Sequence, residues 1–291
     1  MKILALKEEA ILETEKVFIK RTETGELRSI KGTLTLYESK GHLAVIEGKA
    51  MITANGYYYL NKIAGLSVIT PPTLKIEGDR EVPNPFPIID SISGRISKVW
   101  CKKNVVGYGP TGNVVVTSNT FSYDIQMYFI KDLVSKVQMS SKAGRICLES
   151  QVTEEERKIG AFYKIEGDLG VYVIFSDINV LKAIKTMTEN KVFAERKAQT
   201  ICERNALKRH PAFANIYVDT KGIENNRVAE VTVIGYCHSF DARKLNEISE
   251  LADSGREIVV EGEKVQVIEA TSSSEEEIKQ EYEATHDEEV Y

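Results

Sequence analysis

The sequence predicts an α+β protein in which antiparallel β-hairpins form sheets packed with helices. Three observations lead there. Strand-length apolar runs are separated by turn residues. Helical periodicity recurs in only a few stretches. Strands and helices do not alternate in the regular way of a parallel-sheet protein. The chain has 291 residues, enough for one large domain or two small ones with a real core.

The elements follow in order. Residues 1–30 are a polar N-terminal segment, in which Glu8 to Phe18 reads as a short helix and TGELRS (24–29) as a turn. Thr33 to Tyr37 and Leu43 to Glu47 read as strands around the glycine turn ESKGH. Thr53 is placed to cap a helix carrying Tyr57, Leu60, Ile63 and Ala64, with Gly65 at its left-handed end. Leu66 to Ile69 and Thr73 to Glu77 are strands around Pro71-Pro72, and EVPNPFP (81–87) reads as a loop. Residues 92–103 and 113–118 suggest a hairpin, and Phe121 to Lys136 a helix. After an acidic stretch, TEEER, come strands at Ala161 to Glu166 and Val171 to Phe175. Asp177 caps a helix with Ile178, Leu181, Ile184 and Met187 at helical spacing. A second helix starts near Val192 and stops at Pro211, which cannot continue the backbone ladder. Strands at Ile216 to Val218 and Ala229 to Tyr236 close a core of residues 31–244. Residues 245–291 are an acidic segment whose end, 272–291, has the composition of a disordered tail.

Composition narrows the function classes. Hydrophobic content of 42% and charged content of 28% fit a globular protein, and no apolar run reaches the ~20 residues that span a bilayer. The start, MKILALKEEAILETEK, is a poor secretory signal, so the expected location is the cytoplasm and no membrane partner is expected. The four cysteines lie far apart and are expected to be reduced, small and buried, without a metal. Net charge is -5, but residues 245–291 alone carry -12, which leaves +7 on residues 1–244. A basic body with an acidic tail suggests a polyanion-binding protein. The bland alternative for the tail is a solvated segment that only aids solubility.

The catalytic motifs are weak. Gly107, Gly109 and Gly112 spell G-x-G-x-x-G, but a strand follows rather than a helix, so a flexible hairpin tip fits better than a dinucleotide site. No P-loop, nucleophile elbow or H-E-x-x-H occurs, and the chain is read as a non-enzyme without a cofactor.

The informative stretch is AERKAQTICERNALKRHP, residues 194–211. On a helix, Ala194, Ala198, Ile201, Cys202 and Asn205 share one face, and Lys197, Arg204 and Lys208 form an adjacent stripe flanked by Arg196 and Arg209. With Lys191, this region holds six bases against two acids. Small residues let the helix approach its support closely, and a line of charge suits a phosphate backbone. The alternative is a solvated amphipathic helix. In ISKVWCKKN, strand alternation puts Lys98, Trp100 and Lys102 on one face, with Lys103 beside them. Either the indole stacks a base while the lysines take phosphates, or Trp100 belongs to the core and the lysines surround it. The run Tyr57-Tyr58-Tyr59 reads as helix packing rather than a stacking platform.

Two stretches and their order resemble the RecT/Red-beta family of phage single-strand annealing proteins. They are GYYYLNKIAGLSVITPPTLKIEGDREV, and GAFYKIEGDLGVYVIFSDINVLKAIK followed by AERKAQTICERNALKRHPAF. The resemblance covers about residues 43–220. It implies a β-β-β-α core, ATP-independent annealing of complementary single-stranded DNA, and a basic groove that holds single strands and the annealed duplex. It also implies a homo-oligomer, as a ring or helical filament. By position Arg196, Lys197, Arg204, Lys208 and Arg209 match the family's basic helix. An exonuclease of the phage or a host single-strand-binding protein is the expected partner of the acidic tail. The helical N-terminal region of the family is short or absent here, and the hairpin at Gly107 to Gly112 looks like an insertion. Two alternatives stay open: a single-strand nucleic-acid-binding accessory protein that does not anneal, and a structural or assembly protein.

Overall fold

The computed structural model describes residues 14–15, 19–22, 25–46, 49–214, 216, 228–236 and 240–270. The class is α+β, with antiparallel sheets and, among the described residues, a parallel pair of the strands Val114–Asp124 and Gln266–Ala270. The chain divides into two compact units. Unit 1 comprises Met1–Pro85, Cys101–Phe121 and Gln199–Tyr291, and unit 2 comprises Phe86–Trp100 and Ser122–Ala198.

The first strands are β1 (Thr14–Glu15), β2 (Ile19–Thr22) and β3 (Gly25–Tyr37), followed by the hairpin of β4 (Leu43–Ile46) and β5 (Lys49–Ile52). The turn expected at 24–29 is instead the start of β3, from Gly25 onward. Leu27 and Ser29 are buried while Glu26 and Arg28 are exposed, so the two-residue period is present but disguised by polar side chains. The helix expected from Glu8 meets a strand at Thr14–Glu15, and its other residues lie outside those described. The boundary drawn after residue 30 falls inside β3.

Next come α1 (Ala54–Ala64), β6 (Ser67–Ile69), β7 (Thr73–Ile76), β8 (Arg80–Pro83) and β9 (Phe86–Ile89). The caps of α1 are those expected: Thr53 Oγ1 accepts the Gly56 N–H at 3.1 Å, and Gly65, at φ 69°, donates its N–H to the Asn61 carbonyl at 2.9 Å. The expected loop at 81–87 is mostly strand. Among the described residues, Pro83 and Pro87 lie on strands paired along one side, the place in a sheet where proline is tolerated. Between them the Asn84 side chain imitates a strand. It donates to the carbonyls of Pro71 (2.8 Å) and Lys102 (2.9 Å) and accepts the Lys102 N–H at 3.0 Å.

β10 (Ile96–Tyr108) and β11 (Val114–Asp124) form the expected hairpin with longer arms. Phe121 and Tyr123 are buried as strand residues, so α2 (Ile125–Met139) starts only after its N-cap, Asp124. The chain continues through β12 (Gly144–Leu148), α3 (Glu154–Ile159), β13 (Gly160–Glu166), β14 (Leu169–Ile174), α4 (Ile178–Val192), α5 (Ala194–Arg209) and α6 (Pro211–Ala214). It ends with β15 (Val228–Tyr236), α7 (Ala242–Asp253), β16 (Val259–Val260), β17 (Glu263–Lys264) and β18 (Gln266–Ala270). Of the strand expected at 216–218 only Ile216 lies among the described residues, and the expected disordered tail at 272–291 lies outside them.

In unit 1, β15 runs antiparallel to β3 from Val228↔Tyr37 to Tyr236↔Ser29, and β1 and β2 also pair with β3. Helix α1 lies on this sheet. Leu34, Leu36, Leu60, Val231, Val233, Leu207 and Phe213 fill the space between as one apolar core. A second core gathers Tyr108, Val114, Val116 and Tyr236 with Ile248 and Ala252 of α7 and with Val260 and Val265. Residues 245–270, expected as part of an acidic segment, are therefore folded into unit 1, with β18 parallel to β11. Alternation of apolar and acidic residues hides a buried face inside an acidic composition. The glycine hairpin tip is fastened, because the Tyr236 hydroxyl donates to the Pro110 carbonyl at 2.8 Å.

In unit 2, the sheet β12-β14-β13 presents Val171 and Val173 to Phe129 and Leu133 of α2 and to Val180 and Ala183 of α4. The opposite face carries Tyr172, Cys147 and Phe162. Helix α3 was not expected. Its signal is Thr153 with Glu156 three residues later, a reciprocal capping box. Helix α4 is capped as predicted: Asp177 Oδ1 accepts the N–H groups of Asn179 (2.8 Å) and Val180 (3.2 Å). Its buried line is Val180, Ala183 and Asn190, whereas Ile178 (63%) and Leu181 (46%) are exposed, against the expected apolar face. Helical spacing fits both lines, and packing against α2 selects one. Asp177→Ala should lower stability by ~1 kcal/mol in urea denaturation. No change would mean that water replaces the cap.

Candidate nucleic-acid interface

Helix α5 explains itself in two halves. Ala194 and Ala198 are fully buried in the first half, while Glu195 and Arg196 are exposed and Lys197 is half-buried. The Lys197 ammonium donates to the buried Asn190 at 2.8 Å, and the Arg196 guanidinium lies 4.6 Å from the centre of the Phe193 ring. In the second half one whole helical turn, Arg204-Asn205-Ala206-Leu207, is buried. The expected apolar face is observed, since Ala194, Ala198, Ile201, Cys202 and Asn205 are all buried. Asn119 holds this face against β11, donating to the Cys202 carbonyl at 3.1 Å.

The basic stripe needs correcting at Arg204. Its exposure is 7%, its guanidinium contacts Asn205 Oδ1 at 3.5 Å, and its charge reaches the buried Tyr57. Burial pushes the Tyr57 hydroxyl up, and the guanidinium partly offsets this. Arg204 belongs to the interior because the helix is enclosed at that turn. Lys208 and Arg209 are half-buried in the last turn, where positive charge complements the helix dipole.

Strand β10 shows the expected alternation. Lys98, Trp100 and Lys102 are half-buried on one face, and Val99, Cys101 and Lys103 are buried on the other. Lys103 is thereby corrected: at 6% exposure its ammonium donates to Thr70 Oγ1 (2.7 Å) and Gln199 Oε1 (3.4 Å). Lys102 is ion-paired with Asp253 at 2.7 Å, and Asp253 also accepts from the buried Asn104 at 3.0 Å. Trp100 is neither fully core nor free of neighbours. It pairs with Phe86 across β9, and the Lys98 ammonium lies 4.9 Å from its ring centre, with Asp124 3.9 Å from that ammonium.

The structure thus sorts the ten predicted residues. Lys98, Trp100, Lys191, Arg196 and Lys197 belong to unit 2 and keep at least part of their side chains open. Lys191 stands near the β9–β10 turn, where its charge helps hold the Asp90 carboxyl low, behind the larger effect of the Ser93 and Ile92 N–H groups. Lys102, Lys103, Arg204, Lys208 and Arg209 belong to unit 1, and the first three are held by internal partners. Phe193 and Asn190, which position Arg196 and Lys197, were not anticipated, though both stand within one or two turns of them in sequence. Cys101, Cys147 and Cys202 are buried, and the Cys202 thiol donates to the Asn119 carbonyl at 3.2 Å. Cys237 lies outside the described residues. Among the described residues no helix is long and apolar enough to cross a membrane. No protein-family profile, no curated protein and no solved structure matches the chain.

Proposed function

We propose that the chain is an ATP-independent single-strand DNA annealing protein that binds single strands and the annealed duplex through phosphate contacts. The observation that carries this reading is the half-open Trp100 with Lys98 over its ring, in the unit that also holds the exposed Arg196. A half-open ring with a flexible ammonium over it can accept a base while the ammonium moves to a phosphate. The order of three strands then a helix at 144–192, with α3 inserted, supports the resemblance. Pairing two strands requires that phosphate repulsion be reduced and base edges left free, so contacts should fall on the backbone. Assembly into a homo-oligomer belongs to the same proposal. Among the described residues, most of the exposed large apolar side chains are in unit 2, including Ile89, Ile159, Phe175, Ile178 and Leu181. An exonuclease or single-strand-binding protein remains the proposed partner of the tail.

The test pairs two complementary oligonucleotides, one with a fluorophore and one with a quencher, without ATP or metal. The native protein should speed pairing. A variant with Lys98, Lys191 and Arg196 all changed to alanine should lose most of that gain. The slope of log affinity against log salt should fall by ~2, since each single-strand phosphate contact contributes ~0.7. Arg204 is unsuited to this test because its loss would disturb the core. Binding without faster pairing would indicate a coating protein. Oligomers indifferent to DNA would indicate an assembly protein.

A further inference from the structure

Unit 1 carries a second group of aromatic and basic side chains, away in sequence from α5 and β10. The His42 ring stacks on Tyr59 with centroids 4.6 Å apart and planes 14° from parallel. The Lys62 ammonium lies 5.2 Å from the Tyr59 centre, and Lys40 lies 4.7 Å from that of Tyr37. The backbone N–H of Tyr37 donates to His42 Nδ1 at 3.5 Å, which links Tyr37 to the His42–Tyr59 stack. Lys40 and Lys62 are exposed, and Tyr37, His42 and Tyr59 are half-buried. Glu38 is the carboxylate of the same turn.

The group is built rigidly. Gly41 closes the turn at φ 66°, with its N–H on the Glu38 carbonyl at 2.7 Å. Thr53 Oγ1 donates to the Gly41 carbonyl at 2.5 Å while capping α1, and the Thr53 N–H donates to the His42 carbonyl at 3.1 Å. Gly56 is required there, because a Cβ would overlap the His42 carbonyl. The turn is clamped to the start of α1, one turn below Tyr59. The potential of both lysines converges on His42, whose pKa burial lowers first and Lys40 and Lys62 lower further. Tyr57 does not take part: it is core, edge-on to Phe213 at 5.7 Å.

We infer that Tyr37, His42 and Tyr59 form a platform for an unpaired nucleobase, with Lys40 and Lys62 turning from the rings to the flanking phosphates. This rests on the reading of the chain as a strand-binding protein and adds a contact region that reading does not use. Stacking tolerates any base, so the platform should prefer single strands over duplex without sequence preference.

The test uses the full chain with a thymidine oligonucleotide carrying bromodeoxyuridine, photo-crosslinked and mapped by mass spectrometry. Crosslinks should fall on residues 37–42 or 54–64. Tyr59→Leu should weaken single-strand binding roughly five- to a hundredfold and duplex binding much less. Lys40→Ala with Lys62→Ala changes only exposed side chains, so the fold is kept, and it should weaken binding of both. Strand binding that persists in both variants, with crosslinks elsewhere, would overturn the platform and leave the proposed function standing. Equal loss on duplex and single strand in Tyr59→Leu would also overturn it. If the native chain binds no strand at low salt, both readings fall.

Discussion

Gly235→Ala should cost unit 1 ~3 kcal/mol or more, enough to leave much of the protein unfolded at moderate urea. Gly235 lies on β15 opposite Ile30 of β3, and α1 crosses above it. A Cβ at this position would overlap the Ile63 carbonyl, which is backbone in the last turn of α1 and cannot rotate aside. The helix would have to lift, and the contacts of Leu60 with Leu34, Val231 and Val233 would open together. Gly32, on the neighbouring strand, is the control. There a Cβ meets the Ile63 Cδ1 at 2.5 Å, the far end of a side chain that can rotate. Gly32→Ala should therefore cost clearly less. Far-UV circular dichroism is the right probe, because Trp100, the only tryptophan, lies in unit 2 and would report on the other unit. A Gly235→Ala protein within 1 kcal/mol of native would show that α1 does not sit so close to the sheet.

What the sequence revealed follows the range of the interactions. Thr53, Gly65 and Asp177 could be read because a cap and its partners lie within a few residues. The small-residue face of α5 could be read because a helix repeats predictably. The features hidden from the sequence depend on partners distant in the chain. The helical wheel alone places Arg204 on the surface stripe with Lys197 and Lys208. Only the packing around the last full turn shows that all sides are covered. Lys102 looked available until Asp253 of α7 came to it, and Lys103 until β10 fixed which face is inward. The strands at Gly25–Ser29 and Arg80–Pro83 are hidden in the sequence because polar residues and prolines signal turns on average, although edge and hairpin strands tolerate them. The stacking of His42 on Tyr59 has no local signature, since a turn and a helix meet to make it.

The stop of the basic helix carries the last expectation, a loss of stability in mild acid. His210 is fully buried between α5 and α6. Its Nδ1 accepts the Ala212 N–H at 3.2 Å, so the proton of the neutral ring is on Nε2, which donates to the Val115 carbonyl at 3.4 Å. Pro211 both ends α5 and opens α6, at a first-turn position where its missing N–H is not needed. Burial lowers the His210 pKa to about 4, against smaller upward effects of the Val115 and Gly107 carbonyls. The unfolded chain takes up this proton near pH 6.5, and the folded chain only near pH 4. Between these values the unfolded state binds more protons, so stability falls as pH falls. The slope is about 1.4 kcal/mol per pH unit, or about 3 kcal/mol across the window. Above pH 6.5 the group contributes no pH dependence. His42 is also lowered and tilts the same way, so the comparison must be with a variant. His210→Leu leaves the Val115 carbonyl and the Ala212 N–H without this ring and should be less stable at pH 8. Its stability should nevertheless depend less steeply on pH between 6.5 and 4. Urea denaturation at half-unit steps of pH separates the two effects, since the lost bonds set the intercept and the proton sets the slope. Parallel curves for native and variant would mean that His210 is protonated inside the fold, with Nδ1 turned away from Ala212.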